Sequence, residues 1–110
     1  MNYRTTRIYL RSLDLIDFVA QELKKLPPGY GFLADQVRRS AASVSLNYLE
    51  GCGRSGAAER RRFFSIAIGS AREVAGTLDV MHRLGVLHAD HRTAGQNVCD
   101  HLIAMLRRFN

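Results

Sequence analysis

The chain contains only two prolines, Pro27 and Pro28, and they are adjacent. Gly29 and Gly31 follow at once, so the sharpest break falls here and long stretches on either side carry nothing that stops a helix. In those stretches apolar residues recur at steps of three and four, the spacing of amphipathic helices. Thr6 to Leu26 reads as a first helix with Leu13, Ile16, Ala20, Leu23 and Leu26 on one face. Leu15, Phe18 and Val19 widen that stripe, and Arg11, Asp14, Glu22 and Lys25 fall opposite. A second helix runs from about Leu33 to Glu50 with the stripe Leu33, Val37, Ala41, Val44 and Tyr48. Its small residues, Ser40 to Ser43 and Ser45, permit close helix approach, and Gly51 and Gly53 supply its stop. A third begins at Ser55 or Gly56 and ends at Leu84, before Gly85, with Phe63, Ala67, Ser70, Val74, Leu78 and Met81 inward. A fourth starts at Asp90 or Thr93 and reaches Phe109, burying Val98, Leu102, Met105 and Leu106. No strand-like alternation of useful length and no repeat occurs. The expectation is one all-α domain over residues 1–110, with helices at about 6–26, 33–50, 56–84 and 90–109. Short connections favour an antiparallel up-down-up-down four-helix bundle.

The formal net charge is +6, which favours an anionic partner such as RNA, DNA or an acidic protein surface. Along the sequence this charge is dispersed: residues 1–30 and 55–87 each carry five basic and three acidic groups, and residues 31–54 and 88–110 each carry three and two. A basic patch must therefore be assembled by the fold or by oligomerisation. No signal peptide follows Met1, and no apolar run has the roughly 18 residues of a membrane span. Cys52 and Cys99 make no disulfide framework, so reduced thiols and a cytoplasmic location are expected, with no membrane partner.

Several polar groups share helix faces. Ser43, Asn47 and Glu50 lie at steps of four and three, and Ser70 and Glu73 share a face of the next helix at a step of three. Glu50 and Glu73 would suit metal or acid–base chemistry as a carboxylate pair, but neither begins the Glu-x-x-His spacing of di-metal bundles. The favoured reading is a buried hydrogen-bond network, with Arg38, Arg39, Arg54 or Arg72 as partners, that fixes helix register. Gly51-Cys52-Gly53-Arg54-Ser55-Gly56 spells GxGxxG but follows a helix, which excludes a dinucleotide site. Arg54, Ser55 and Arg60 can still hold a phosphate where that loop opens a helix. Arg60, Arg61 and Arg62 point about 100° apart and cannot form one flat patch, though an oligomer can repeat them as a phosphate-contacting rim. Arg107 and Arg108, with Arg4, Arg7 and Arg11, can add to it. His88, Asp90 and His91, with His82 and His101 further off, match no zinc spacing and read as loop or cap residues. Tyr3, Tyr9, Tyr30 and Tyr48 read as packing or interface residues, and Tyr30 or Phe32 offers a surface for base stacking. No nucleophile motif, metal ligand set or cofactor motif is present, so no catalytic residue, metal or cofactor is expected.

The run QVRRSAASVSLNYLEGCGR (Gln36–Arg54) followed by FSIAIGSAREVAGTLDV (Phe64–Val80) resembles the four-helix-bundle proteins encoded by intervening sequences in bacterial 23S ribosomal RNA genes. Related proteins are the accessory variability determinants of diversity-generating retroelements. The S-[IV]-x-x-N-x-x-E-G core stands here as Ser43 to Gly51, and the G-S-x-x-E element as Gly69 to Glu73. Departures fall at Ala34, where the family often has a capping threonine, at Ser40, where it often has alanine, and at Tyr48-Leu49, where it commonly has Ile-Ala. The resemblance implies a left-handed antiparallel bundle, a ring-like homopentamer and no enzymatic activity. Its retroelement branch is similar to a nucleic-acid-binding partner of a reverse transcriptase.

Three functions follow as expectations. The first is a non-enzymatic oligomeric protein that contacts nucleic acid or a ribonucleoprotein through Arg38, Arg39, Arg54, Arg60, Arg61, Arg62, Arg107 and Arg108. The second is a scaffold for a protein partner, a reverse transcriptase among the candidates, with the charge serving solubility. The third is an enzyme built on Glu50 and Glu73.

Overall fold

The computed structural model describes residues 2–109. A 3-10 turn at Tyr3–Thr5 leads into four helices, α1 (Arg7–Leu23), α2 (Gly31–Cys52), α3 (Ala57–Arg83) and α4 (Ala89–Arg107), and the described residues contain no strand. The helices make a rod of 44 × 22 × 20 Å. Each helix packs on two others, α1 and α3 both lying against α2 and α4. Across α1 and α2, Thr6 meets Tyr48 while Ser12 meets Ser45, and across α2 and α3, Gln36 meets Glu73 while Ser43 meets Ser70. On α4, His91 reaches Glu22 near the end of α1, while Phe109 lies against Phe64 near the start of α3.

Local chemistry sets the ends. The Thr6 hydroxyl caps α1 by accepting from the Tyr9 N–H at 3.3 Å. Gly85 takes φ +78° and ends α3, with the Val86 N–H donating to the Met81 carbonyl across the turn, a conformation that costs glycine little. The His88 ring accepts from the Asp90 N–H at 3.1 Å and caps α4. The N-cap of α2 is Tyr30, without a side-chain bond, so Ala34 is a buried residue inside the first turns and holds no capping position. Gly51 does not stop α2. It lies within the helix, and Gly53 is the C-cap.

Gly51 has a packing role instead. A Cβ there would stand 2.5 Å from Cε1 of Phe64, so only glycine lets that ring seat against the backbone of α2. Phe64 stacks on Tyr48 with centroids 5.6 Å apart. Gly95 has a similar part on α4, where a Cβ would meet Phe18 and Leu78.

The core stripe of α2 is the one its periodicity gives. On α1 the buried line is Ile8, Ser12, Leu15, Val19 and Glu22, not the line through Leu13, Ile16 and Ala20. Two adjacent faces of α1 both carry helical apolar spacing, and periodicity does not choose between them. A serine and a glutamate in the true core line lower its apparent apolarity. Ser12 fits because it bonds Ser45 at 2.8 Å and the Tyr9 carbonyl at 2.6 Å. Glu22 fits because its carboxylate accepts from His91 Nδ1 at 2.6 Å, with Lys25 at 3.5 Å. Burial of a charge is tolerated when it is paired in this way. On α3, Phe64 enters the core and Phe63 is only half-buried; on α4, Val98 is half-buried and Cys99 is enclosed.

Gly51→Ala is expected to destabilise the fold by about 1–3 kcal/mol, the usual cost of overpacking a filled site. Gly76→Ala, where a Cβ meets nothing within 4 Å, is expected to stabilise the isolated chain by about 1 kcal/mol through helix propensity. Urea melts of both variants check the opposite signs.

Candidate functional site

The polar set on α2 and α3 separates into three places. Ser43 and Ser70 hydroxyls bond at 2.7 Å, and Asn47 Nδ2 donates to the Ser43 carbonyl and hydroxyl at 2.9 Å each. This cluster pins the α2–α3 register. Glu73 lies on the surface and accepts from Gln36 Nε2. Glu50 is exposed and pairs with Arg54 at 3.1 Å. Gln36 and Glu50 are fourteen residues apart on α2, about 21 Å of helix rise, so Glu50 and Glu73 do not form a carboxylate pair. The arginine partners expected for the serines and Asn47 do not reach them. Arg38 sits 3.6 Å from Asp35, Arg39 Nε donates to the Asp35 carbonyl at 3.4 Å, and Arg72 is exposed.

Three of the four histidines make structural contacts, and His101 is exposed. His82 Nδ1 lies 2.9 Å from the Leu87 carbonyl, His88 caps α4, and His91 holds Glu22. Among the described residues no group of three or more His, Cys, Asp or Glu side chains could hold a metal ion. Cys99 is enclosed, and burial, aided by Asp100, pushes its thiol up to about 12, which keeps it out of the reactive thiolate form. Burial likewise pushes the Tyr48 phenol up to about 12, above its ordinary value of 10.0.

The arginines behave differently. The fold gathers residues 2–7, 48–64 and 105–109 at one end of the rod, as the Thr6–Tyr48 bond and the Phe64–Phe109 contact at 6.1 Å show. That end contains eight arginines (Arg4, Arg7, Arg54, Arg60, Arg61, Arg62, Arg107 and Arg108) and two acidic side chains, Glu50 and Glu59. The rest of the chain carries eight basic and eight acidic side chains, so the whole net charge of +6 resides at this end.

Both acids there are committed. Glu50 pairs with Arg54, and Glu59 lies 4.0 Å from Arg62. These two arginines lie over the Phe63 ring, 5.0 and 5.4 Å from its centroid, an arrangement that favours cations on an aromatic face. The other six have no acidic partner within 4.0 Å among the described residues. Arg60 folds back over the α2–α3 loop and donates to the Arg54 and Ser55 carbonyls at 3.1 and 3.0 Å. Arg38 and Arg39 do not join this cluster, because Arg39 stands thirteen residues before Cys52 at the end of α2, about 20 Å of helix rise. Arg4 and Arg7, weak candidates in the sequence, belong to it through the Thr6–Tyr48 contact.

The described residues form a small all-helical protein of four helices with one strongly basic end. The chain matches the 23S rRNA-intervening sequence protein family across residues 4–108, and it belongs to that family. Its fold is similar to the crystal structure of a protein of unknown function from the S23 ribosomal protein family of Bacteroides thetaiotaomicron VPI-5482. The two share 20% sequence identity and a TM-score of 0.70, over 92% of this chain and 89% of that one. A comparison with curated proteins gave no match. No helix among the described residues is long and apolar enough to cross a membrane.

Ser70→Ala is expected to cost about 1 kcal/mol, the worth of a hydrogen bond whose partner stays half-buried. Glu50→Gln, which removes only an exposed ion pair, is expected to change stability by less than about 0.5 kcal/mol. Thermal denaturation of the two variants side by side checks this ranking.

Proposed function

We propose that the chain is an antiparallel up-down-up-down bundle that acts as a non-enzymatic, oligomeric nucleic-acid-binding protein. One observation carries the reading: the entire net positive charge lies at one end of the rod, with six of its eight arginines unpaired among the described residues. Such an end attracts phosphates, and release of condensed counterions drives the association. Contacts of this kind position a nucleic acid without reading its bases, so RNA, DNA and a ribonucleoprotein are all suitable ligands. The separation of Glu50 from Glu73 weighs against a carboxylate-pair enzyme.

A homopentameric ring, implied by the resemblance, is supported by two unpartnered apolar faces. Ile16, Ala20 and Leu23 of α1 with Ala41 and Ala42 of α2 border an apolar groove of about 510 Å³, and Leu10 and Leu46 are exposed. On α3, Ile66 and Val80 are exposed and flank Gly69 and Gly76, beside which a Cβ would find open space. Two different faces are what a head-to-tail ring requires, and a ring brings the basic ends of its copies together.

Binding of RNA and duplex DNA is expected to weaken steeply from roughly 50 to 200 mM salt. The double variant Arg61→Gln/Arg107→Gln should flatten the slope of log affinity against log salt by roughly 0.7–0.9 for each phosphate that is no longer neutralised. Fluorescence anisotropy across the salt series is the measurement. Absence of binding at every salt concentration would leave the protein-scaffold reading in its place.

A further inference from the structure

Three aromatic rings meet at the basic end. Tyr48 and Phe64 are stacked and almost fully enclosed, at 3% and 4% exposure. Phe109 stands edge-on to Phe64 at 6.1 Å and is 58% exposed. Of the three, Phe109 alone therefore has an open ring face. A recess lies on each side of it. One, of about 350 Å³, is bordered by Arg7 and Arg108 with the Tyr48 ring behind; the other, of about 370 Å³, is bordered by Arg60 and Cys52 with Phe64 behind.

The arginines are well placed to serve as more than a diffuse charge. Arg60 uses one terminal nitrogen to hold the Arg54 and Ser55 carbonyls, which fixes its guanidinium and leaves Nε and the other terminal nitrogen without a partner among the described residues. Arg7 and Arg108 have no acidic partner within 4.0 Å among the described residues. An open aromatic face with unpaired guanidinium groups on both sides matches one chemical pattern: a flat base followed and preceded by phosphates.

We propose that Phe109, flanked by Arg7, Arg60 and Arg108, is a subsite for an unpaired nucleotide, so that this protein prefers single-stranded nucleic acid to duplex. The inference rests on the nucleic-acid reading above and specifies its ligand. A base in a duplex has both faces occupied by its neighbours, whereas a base in a single strand can leave the stack and lie on an aromatic ring. The base stacks on Phe109 while the phosphates on either side reach the arginines of the two recesses. The other exposed aromatic residue proposed for stacking, Phe32, lies in the first turn of α2, at the far end of the rod from this charge. It has no comparable partners.

The test is anisotropy binding of the full chain to a short single-stranded RNA, the same sequence as single-stranded DNA, and a blunt duplex with an equal number of phosphates. Phe109→Ala and Phe109→Leu should each weaken single-strand binding by roughly 5- to 150-fold, the range one base stack represents. Duplex binding and the salt slope should not change. Phe109→Trp should retain single-strand affinity, and its fluorescence should be quenched when the strand binds. Phe109→Leu keeps apolar packing on Phe64, so a loss shared by Leu and Ala, with an unchanged melting temperature, reports the ring face and not the fold. RNA and DNA strands bound alike indicate recognition of base and phosphate; a preference for RNA adds the 2′-hydroxyl to the same subsite. Equal wild-type affinity for strand and duplex, with silent Phe109 variants, overturns the subsite and leaves the phosphate-binding reading standing. No binding of any of the three probes removes both.

Discussion

The seat of Phe64 against the bare backbone at Gly51 is the contact on which the basic end depends. It brings α3 close to α2 directly beside the loop that joins them. With α3 held there, Phe64 stacks on Tyr48, and Tyr48 in turn reaches the Thr6 hydroxyl at 2.8 Å. The start of α1, the end of α2, the start of α3 and the end of α4 are thereby fastened around one small aromatic cluster. Further along, Ser43, Asn47 and Ser70 repeat the clamp with hydrogen bonds. Short side chains at these positions keep the two helices close, and a buried hydroxyl that finds a partner costs little.

Electrostatics is the consequence. Three segments that are remote in sequence bring two, four and two arginines to the same end, while eight of the ten acids of the chain lie elsewhere. Like charges gathered in this way repel one another and oppose folding, and the apolar and hydrogen-bonded contacts behind them offset that repulsion. Two of the arginines are neutralised and laid over Phe63, which shapes the loop between α2 and α3. The remaining six have no acidic partner within 4.0 Å among the described residues. A charge distribution so lopsided is a physical reason for an anionic partner that the net value of +6 alone does not supply.

Much of the fold is legible in the sequence. The Pro27-Pro28-Gly29 break, the stripe of α2 and the glycine at 85 place helices and their ends from local rules. The core face of α1 is not legible, because Ser12 and Glu22 look like surface residues until Ser45 and His91 are brought to them from other helices. The same limit applies to the polar set. Shared helical spacing correctly aligns Ser43 with Asn47, but it also aligns Glu50, whose side chain lies one turn on, beyond the serine cluster, and meets Arg54 at the surface. Spacing along one helix reports direction around its axis and says nothing about which neighbour stands at that height. Gly51 shows the reverse case. A glycine at the end of a helical run reads as a stop, and its purpose is visible only when the Phe64 ring is placed against it.

By itself the sequence determines four helices, their approximate limits, the family to which the chain belongs and the amount of its positive charge. The helices and the charge follow from local backbone preference, apolar periodicity and composition, and the family follows from its match to residues 4–108. Tertiary structure decides which face of α1 is buried, which polar groups meet, and that Arg4, Arg7, Arg54, Arg60, Arg61, Arg62, Arg107 and Arg108 share one end while Arg38 and Arg39 do not. Those outcomes depend on distances between residues far apart in the chain, and only the packing of one helix on another fixes such distances.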